Sequence, residues 1–344
     1  MFASHQLGAM ATQQRPYQIG RLITSTIAGR ESDAFYEKGL SEAIQRRFGH
    51  PAWAGTGYCL PPRAAARDLL TTPASGAGDL IGESIAAVAN SVCPVTVMEQ
   101  AGMRVIETSG DFYHLPRWTT ATAGWVAENA SVPSLGTQVT TIDLQPHIAG
   151  ARLAFSRRLS VLAEGVEQQV LAETARAIAS FIERAVIQGT GTANQPLGIL
   201  NLPAKKTKTF SAATPTLAEL SDMVELVGDA DADMNQMSWV LHPSDLRDLL
   251  IAEKTASTGE TILSWYEGRY RLFGMPVYST TNCTEGKYLL GDMSTLNLLY
   301  FGPPQAIIDK FSGSKSATGQ TEVIVLNMVD VGCTNQGAIC VGSA

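Results

Sequence analysis

The chain has 344 residues, of which 45% are hydrophobic and 17% charged, and 25 basic against 32 acidic side chains leave a net charge of −7. That length carries about two domains, and the acidic balance excludes a protein that grips nucleic acid mainly through its phosphates, which needs clustered Lys and Arg. A charge fraction well below the usual value of about 25% suits a surface largely covered by neighbouring copies.

Residues 1–75 read as loosely packed backbone. One amphipathic helix is expected over 32–48, with Phe35, Leu40, Ala43 and Ile44 along one side. Pro-, Gly- and Ala-rich pieces at 50–62 and 71–78 flank it and read as extended or linker-like. A segment that cannot bury its own core needs another surface to lie on, so this part is expected to act as an arm against a neighbour. No basic region followed by an apolar core opens the chain, so no secretory signal is expected. The apolar stretch 81–98 is interrupted by Glu83, Asn90 and Pro94, which argues against a membrane span.

From 108 to 148 the pattern turns strand-like. Tyr113, Leu115 and Trp118, then Trp125 and Val126, then Val139, Ile142 and Leu144 alternate with Thr-rich polar residues around a polar tip at 133–136. That predicts a long β-hairpin. The spacing of Val166, Val170, Leu171, Ala175, Ile178, Ile182 and Ala185 at threes and fours predicts a helix over 160–188, about 40 Å long. Ser160 is placed to cap its start and Gly189 its end. Beyond Pro203 mixed α/β structure is expected: helices over 217–227 and 244–251, strands over 238–241, near Val277 and over 288–290, and antiparallel strands over 305–308 and 321–331. Lys205, Lys206 and Lys208 read as a solvated turn.

Each motif that could carry chemistry lacks something the chemistry requires. Gly189-Thr190-Gly191-Thr192 follows a helix rather than a strand and has no third glycine or following Lys-Ser/Thr, so nucleotide binding is not expected. Gly82-Glu83-Ser84-Ile85-Ala86 approximates a nucleophile elbow, and Glu225 or Asp229 with His242 could complete a hydrolase triad. The elbow needs a buried strand before it, and 74–79 is Ser-, Gly- and Ala-rich. Asp229, Asp231 and Asp233 alternate as in a calcium loop, but Met234 and Val240 stand where Gly and Glu are needed. Ser312 and Lys315 fit S-x-x-K without its companion motifs. The histidines His5, His50, His114, His147 and His242 are dispersed, and the cysteines Cys59, Cys93, Cys283, Cys333 and Cys340 form no CxxC, so neither a metal site nor a disulfide framework is expected. No catalytic residue, cofactor or metal is assigned.

The stretch 185–201, AVIQGTGTANQPLGILN, closely resembles the signature of phage major capsid proteins with the Hong Kong 97 (HK-97) fold. Leu115-Pro116-Arg117, Trp125-Val126-Ala127-Glu128-Asn129 and Phe155-Ser156-Arg157-Arg158-Leu159 match that family's hairpin and the strand entering its spine helix. Val240-Leu241-His242-Pro243-Ser244-Asp245, Leu272-Phe273-Gly274-Met275-Pro276-Val277 and Gly291-Asp292-Met293 follow in the family's order. The resemblance implies an α+β fold with an N-terminal extension and arm (1–95), a peripheral domain (96–107 and 149–192, with the spine helix), an extended loop (108–148), an axial domain (193–300) and strands returning to both domains (301–344).

It further implies a non-enzymatic homo-oligomer of pentamers and hexamers. These would close an icosahedral shell around double-stranded DNA, with a scaffolding protein or protease and a portal protein as partners. Assembly would take place in the host cytoplasm, with the shell as the final location. Tyr113, Trp118, Trp125, Glu128, Arg157 and Arg158 are the residues it places at contacts between subunits. Some family members weld subunits through a lysine on the extended loop; this chain has no lysine between Lys38 and Lys205, so no such crosslink is expected. Residues 1–75 are short for a removable scaffolding segment, so scaffolding would come from another chain or from a longer precursor. The same fold also serves bacterial encapsulin compartments, and a serine hydrolase using Ser84 is the enzymatic alternative.

Overall fold

The computed structural model describes residues 22, 25–26, 34–48, 57–60, 95–110, 112–118, 125–126, 139–156, 166–192, 194–230, 232–254, 260–309 and 320–343. In chain order the elements are α1 (Phe35–Phe48), β1 (Gly57–Cys59), α2 (Val97–Gln100), β2 (Arg104–Thr108), β3 (Tyr113–Trp118), β4 (Val139–Leu144), β5 (His147–Ser156) and α3 (Val166–Gln188). They continue with β6 (Lys206–Thr209), α4 (Leu217–Gly228), β7 (Met237–Leu241), α5 (Pro243–Ile251), β8 (Ser264–Tyr266), β9 (Arg269–Leu272) and β10 (Met275–Ser279). The last five strands are β11 (Lys287–Asp292), β12 (Leu296–Phe301), β13 (Gln305–Asp309), β14 (Gln320–Cys333) and β15 (Ile339–Ser343).

A six-stranded sheet is organised on β14, which pairs with β5 along one side and with β12 and β13 along the other. Between the pairs Tyr300↔Val329 and Gln305↔Leu326 the outer strand spends four residues where β14 spends two. The surplus falls on Gly302, Pro303 and Pro304, and makes a bulge where proline's missing N–H is harmless. The outer neighbour changes at that bulge: β2 lies parallel to β12 before it and β1 antiparallel to β13 after it. Gly302 N donates to Thr108 O at 2.8 Å and Leu60 N to Pro304 O at 2.9 Å, tying both neighbours to the break.

The second sheet has seven strands in the order β6-β15-β11-β7-β10-β9-β8. Its central strands are apolar on both faces, and the period-two alternation sorts them. Trp239, Leu241, Leu290 and Cys340 face one core with Leu220, Met223, Val227 and Leu249 of α4 and α5. Val240, Leu289, Ile339 and Val341 face the other core, shared with Ile178, Ile182, Val186 and Ile187 of α3 and with Leu298, Val323 and Val325 of the first sheet. The spine helix therefore sits between the two sheets. Strand β14 belongs to the first sheet and β15 to the second, so the end of the chain ties both together.

The helix α3 comprises 23 residues, about 35 Å, and is described from Val166 onward, so the expected start and its cap Ser160 lie outside the described residues. Ala175, Ile178 and Ile182 are buried as their spacing predicts; Ala185 is half-buried and Phe181 points outward. Two expectations change. Gly189 does not adopt the left-handed cap conformation, which falls to Gly191 (φ 69°); the helix end is instead capped by Asn201, whose Nδ2 donates to Gln188 O at 3.1 Å and Gly189 O at 2.8 Å. On α1 the buried face carries Glu37, Ser41 and Ile44, whereas Phe35 and Ala43 are exposed. The reason is a polar contact: Ser41 Oγ accepts from Cys59 N at 2.8 Å, and the helix turns that side to β1.

Candidate interaction surface

Among the described residues, those considered for catalysis do not converge. Ser84 and Lys315 lie outside the described residues. His242 caps α5: its Nδ1 accepts from Ser244 N at 3.2 Å and lies 2.6 Å from Ser244 Oγ. Glu285 meets that same hydroxyl at 3.3 Å and the same ring nitrogen at 3.6 Å, so serine and acid crowd one side of the imidazole rather than bracketing it. Asp245 beside it is buried and accepts Gly286 N with both oxygens, at 3.1 and 3.0 Å. The group is a joint between α5 and the 284–286 turn.

The Gly-Thr-Gly-Thr loop consumes its own donors: Gly191 N donates to Pro196 O at 3.2 Å and Thr192 N to Thr190 Oγ1 at 3.4 Å. Among the described residues no ring of amides is left to cradle a phosphate. Asp229 ends α4, Asp233 accepts Asn235 N at 3.0 Å in a side-chain turn, and Asp231 lies outside the described residues. Among the described residues no cluster of three or more His, Cys, Asp and Glu side chains is arranged to hold a metal. Cys59, Cys333 and Cys340 are buried thiols pushed up to about 11 by desolvation, and Cys283 to about 12. Protonated thiols of this kind are poor nucleophiles. Lys206 and Lys208 form an edge strand rather than the expected turn, and Lys208 pairs with Asp222 at 2.6 Å. Charge on an edge strand discourages stray pairing.

What the structure does assemble is a projecting hairpin and a groove beside it. Among the described residues strands β3 and β4 pair only with each other, Tyr113↔Leu144 through Trp118↔Val139. Their root is anchored: Leu115 and Leu144 pack with Leu299 and Phe301 in a small separate core, with Tyr113 half-buried against it. Gly332 admits Leu144, because a Cβ there would lie 2.9 Å from Leu144 Cδ1. Asp330 fixes the corner, accepting Gln145 N at 2.9 Å and Val331 N at 2.8 Å, with His147 Nδ1 at 3.4 Å. Burial raises the Asp330 carboxyl pKa, opposed by those two amides and by His147.

Between β3 and β4 the described residues are Trp125 and Val126. Trp125 is 106% exposed, and Val126 is also on the surface. Trp118 pairs with Val139 through the backbone, while its side chain and Glu128, Arg157 and Arg158 lie outside the described residues. Alongside the hairpin root, β5 and the end of α3 enclose an open groove of about 460 Å³ lined by His147, Ile148, Phe181, Arg184, Gln188 and Gln195 among others. Its rim leaves Ile148 53% and Phe181 54% exposed, an apolar face that sequence periodicity alone did not single out.

A polar clamp holds α3 to the second sheet. Asn282 Nδ2 donates to Glu183 Oε2 at 3.1 Å, Ser180 Oγ to Asn282 Oδ1 at 3.1 Å, and Gln188 Nε2 to Asn282 O at 2.7 Å. Desolvation raises the Glu183 pKa, and the Asn282 bond opposes it. A carboxyl whose folded pKa is raised stabilises the protein fully below its unfolded pKa, and that contribution is lost as pH rises through the folded value. Unfolding free energy measured by urea titration should therefore fall over that interval, and Glu183→Gln should flatten the fall while its amide oxygen still accepts from Asn282. Asp245 and Asp330, also raised, would supply the slope that remains. Identical slopes in both proteins would show that Glu183 is not held this way.

Residues 96–344 match the sequence profile described as "Phage capsid family". A curated relative, the major capsid protein of Halomonas phage phiHAP-1, is 24% identical over 356 residues, covering 98% of this chain. The chain spans 56% of that relative's length. Among solved structures, the capsid of an empty GTA particle superposes with a TM-score of 0.60 at 17% identity, over 72% of this chain and 90% of the other. A chain from Mycobacterium phage Bobi gives 0.57 at 13% identity, over 82% of this chain and 98% of the other.

Proposed function

The chain belongs to the phage capsid family and has the HK-97 type of fold, and from that premise we propose that it is a major capsid protein, a structural subunit that catalyses nothing and closes into a shell. Pentamers and hexamers would tile an icosahedron around double-stranded DNA, which is enclosed without sequence-specific contact. A scaffolding protein or protease and a portal protein would be its partners during assembly in the host cytoplasm. In this reading the core between the sheets and α3 is the peripheral domain, the seven-stranded sheet the axial domain, and β3 and β4 the extended loop.

The observation that carries the proposal is the hairpin. Its root is packed into its own subunit while its outer part carries Trp125 and Val126 into solvent. Exposed apolar surface next to an anchored element is what an inter-subunit contact needs, and a head-to-tail contact closes into a ring where its rotation closes. Tyr113, Trp118, Trp125, Glu128, Arg157 and Arg158 are proposed as contact residues, with the apolar ones supplying association energy and the charged ones register.

The shell is proposed to be held by non-covalent contacts, because 39–204 contains no lysine for a crosslink from the loop. Particles boiled in detergent should run as one band near 36.6 kDa. A ladder of linked subunits would overturn the non-covalent reading.

A further inference from the structure

The seven-stranded sheet ends in two unlike surfaces. At one end β8 pairs, among the described residues, only with β9, and all three of its residues are exposed, Trp265 by 63% and Tyr266 by 58%. Glu267 and Gly268 both take positive φ, 51° and 78°, in the tight reversal that sets this ribbon out from the sheet. Arg269 donates to the Tyr278 hydroxyl at 2.9 Å and, among the described residues, meets no carboxylate. Arg271 lies over the Tyr266 ring at 5.2 Å and pairs with Glu267 at 3.2 Å. The ribbon is aromatic and basic.

At the other end, α4 covers β6, β15 and β11 and exposes Glu225 and Asp229 near its C-terminus. Its last turn holds no basic residue, so both carboxylates sit at the negative end of the helix dipole. Among the described residues neither is paired with a cation. In an isolated subunit this arrangement is unfavourable, and a cation from outside would relieve it. Four strand spacings of about 4.8 Å, roughly 20 Å, separate β8 from β11, the nearest strand that α4 covers, so one copy does not join the two surfaces. Pairing of the two bare sheet edges is opposed by the charge that β6 carries on its edge, Lys206 and Lys208. The acidic helix end is the surface left for the ribbon.

We infer that the Trp265-Tyr266-Arg269 ribbon of one copy docks on the Glu225-Asp229 end of α4 of the next, head to tail, and that this contact closes the ring of subunits. The inference rests on the shell reading above and names the surfaces that reading leaves open. A contact that uses one surface as donor and another as acceptor on every copy generates a closed ring when its rotation closes.

The test reverses charge on one surface and then on both. Arg269→Glu alone, and Glu225→Arg with Asp229→Arg together, should each lower the fraction of chain in rings or larger particles by about tenfold or more, read by size-exclusion chromatography and negative-stain microscopy. All three substitutions on one chain should restore assembly, while circular dichroism shows every variant folded. Undiminished assembly of the one-surface variants beside an assembling wild type would overturn the contact alone. So would loss of assembly that the triple variant fails to restore. A wild type that never forms rings under assembly conditions would overturn the shell reading and this contact together.

Discussion

Replacing Gly189 by Ala is expected to cost about 3 kcal/mol or more of folding stability and most of the soluble yield. A Cβ at this position would stand 2.2 Å from Pro196 O and 2.4 Å from Ala185 O, and neither backbone atom can swing aside as a side-chain tip could. The crowding has a purpose. Gly189 is where the chain leaves α3, passes through the 190–197 loop and returns so closely that Gly198 N donates to Gly189 O at 2.9 Å. Gly198 is equally confined, with 2.4 Å from its virtual Cβ to Gly189 N. Forcing these strands of backbone apart would pull Ile187 and Ile199, both fully buried, out of the core shared by the two sheets. Gly228, at the end of α4, has nothing within 4 Å of a virtual Cβ and a helical backbone. Gly228→Ala should be neutral or stabilise by up to about 1 kcal/mol. Urea midpoints of the two variants would separate close packing from a generic intolerance of glycine loss; equal effects would refute this account of Gly189.

Shortening the hairpin should do the opposite, leaving the fold and removing assembly. Pro116 stands opposite Thr141 in the ladder, so a two-residue Asn-Gly turn can replace residues 117–140 without altering the register below. Leu115 and Leu144 would keep their places against Leu299 and Phe301, and the Asp330 corner would be untouched. Thermal unfolding should stay within a few degrees of the parent. The deletion removes Trp118, Trp125, Val126 and Glu128. Two aromatic anchors at about 2 kcal/mol each amount to a factor of about a thousand in each contact's equilibrium constant, and a ring multiplies that loss over its members. No shells should be seen. A shortened chain that assembled as well as its parent would show that the hairpin is not the principal contact.

Much of this architecture could be read from periodicity. The spine helix, the hairpin legs at Tyr113–Trp118 and Val139–Leu144, and the late strands announce themselves because each buries one face or two and spaces its apolar residues accordingly. Features set by contacts distant in sequence were not legible. Nothing local shows that Asn201 would cap a helix ending at Gln188, or that Asp330 would hold the Gln145 corner across 185 residues. Glu183 looks like an exposed helical charge until Asn282 and burial account for it. The Lys206–Thr209 strand was hidden by its lysines, which fit an edge as well as a turn. The proposed contact residues were the least legible: the exposed Trp125 buries no face that periodicity could mark, so only the order of the family's motifs pointed to it.

The central claim is assembly, and electron microscopy of the purified chain tests it most directly. Rings of five and six subunits, or closed shells with hairpins lying across neighbouring copies, are the predicted result. A chain that stays a monomer of 36.6 kDa across salt and concentration, and still does so when a scaffolding protein is supplied, would contradict the account.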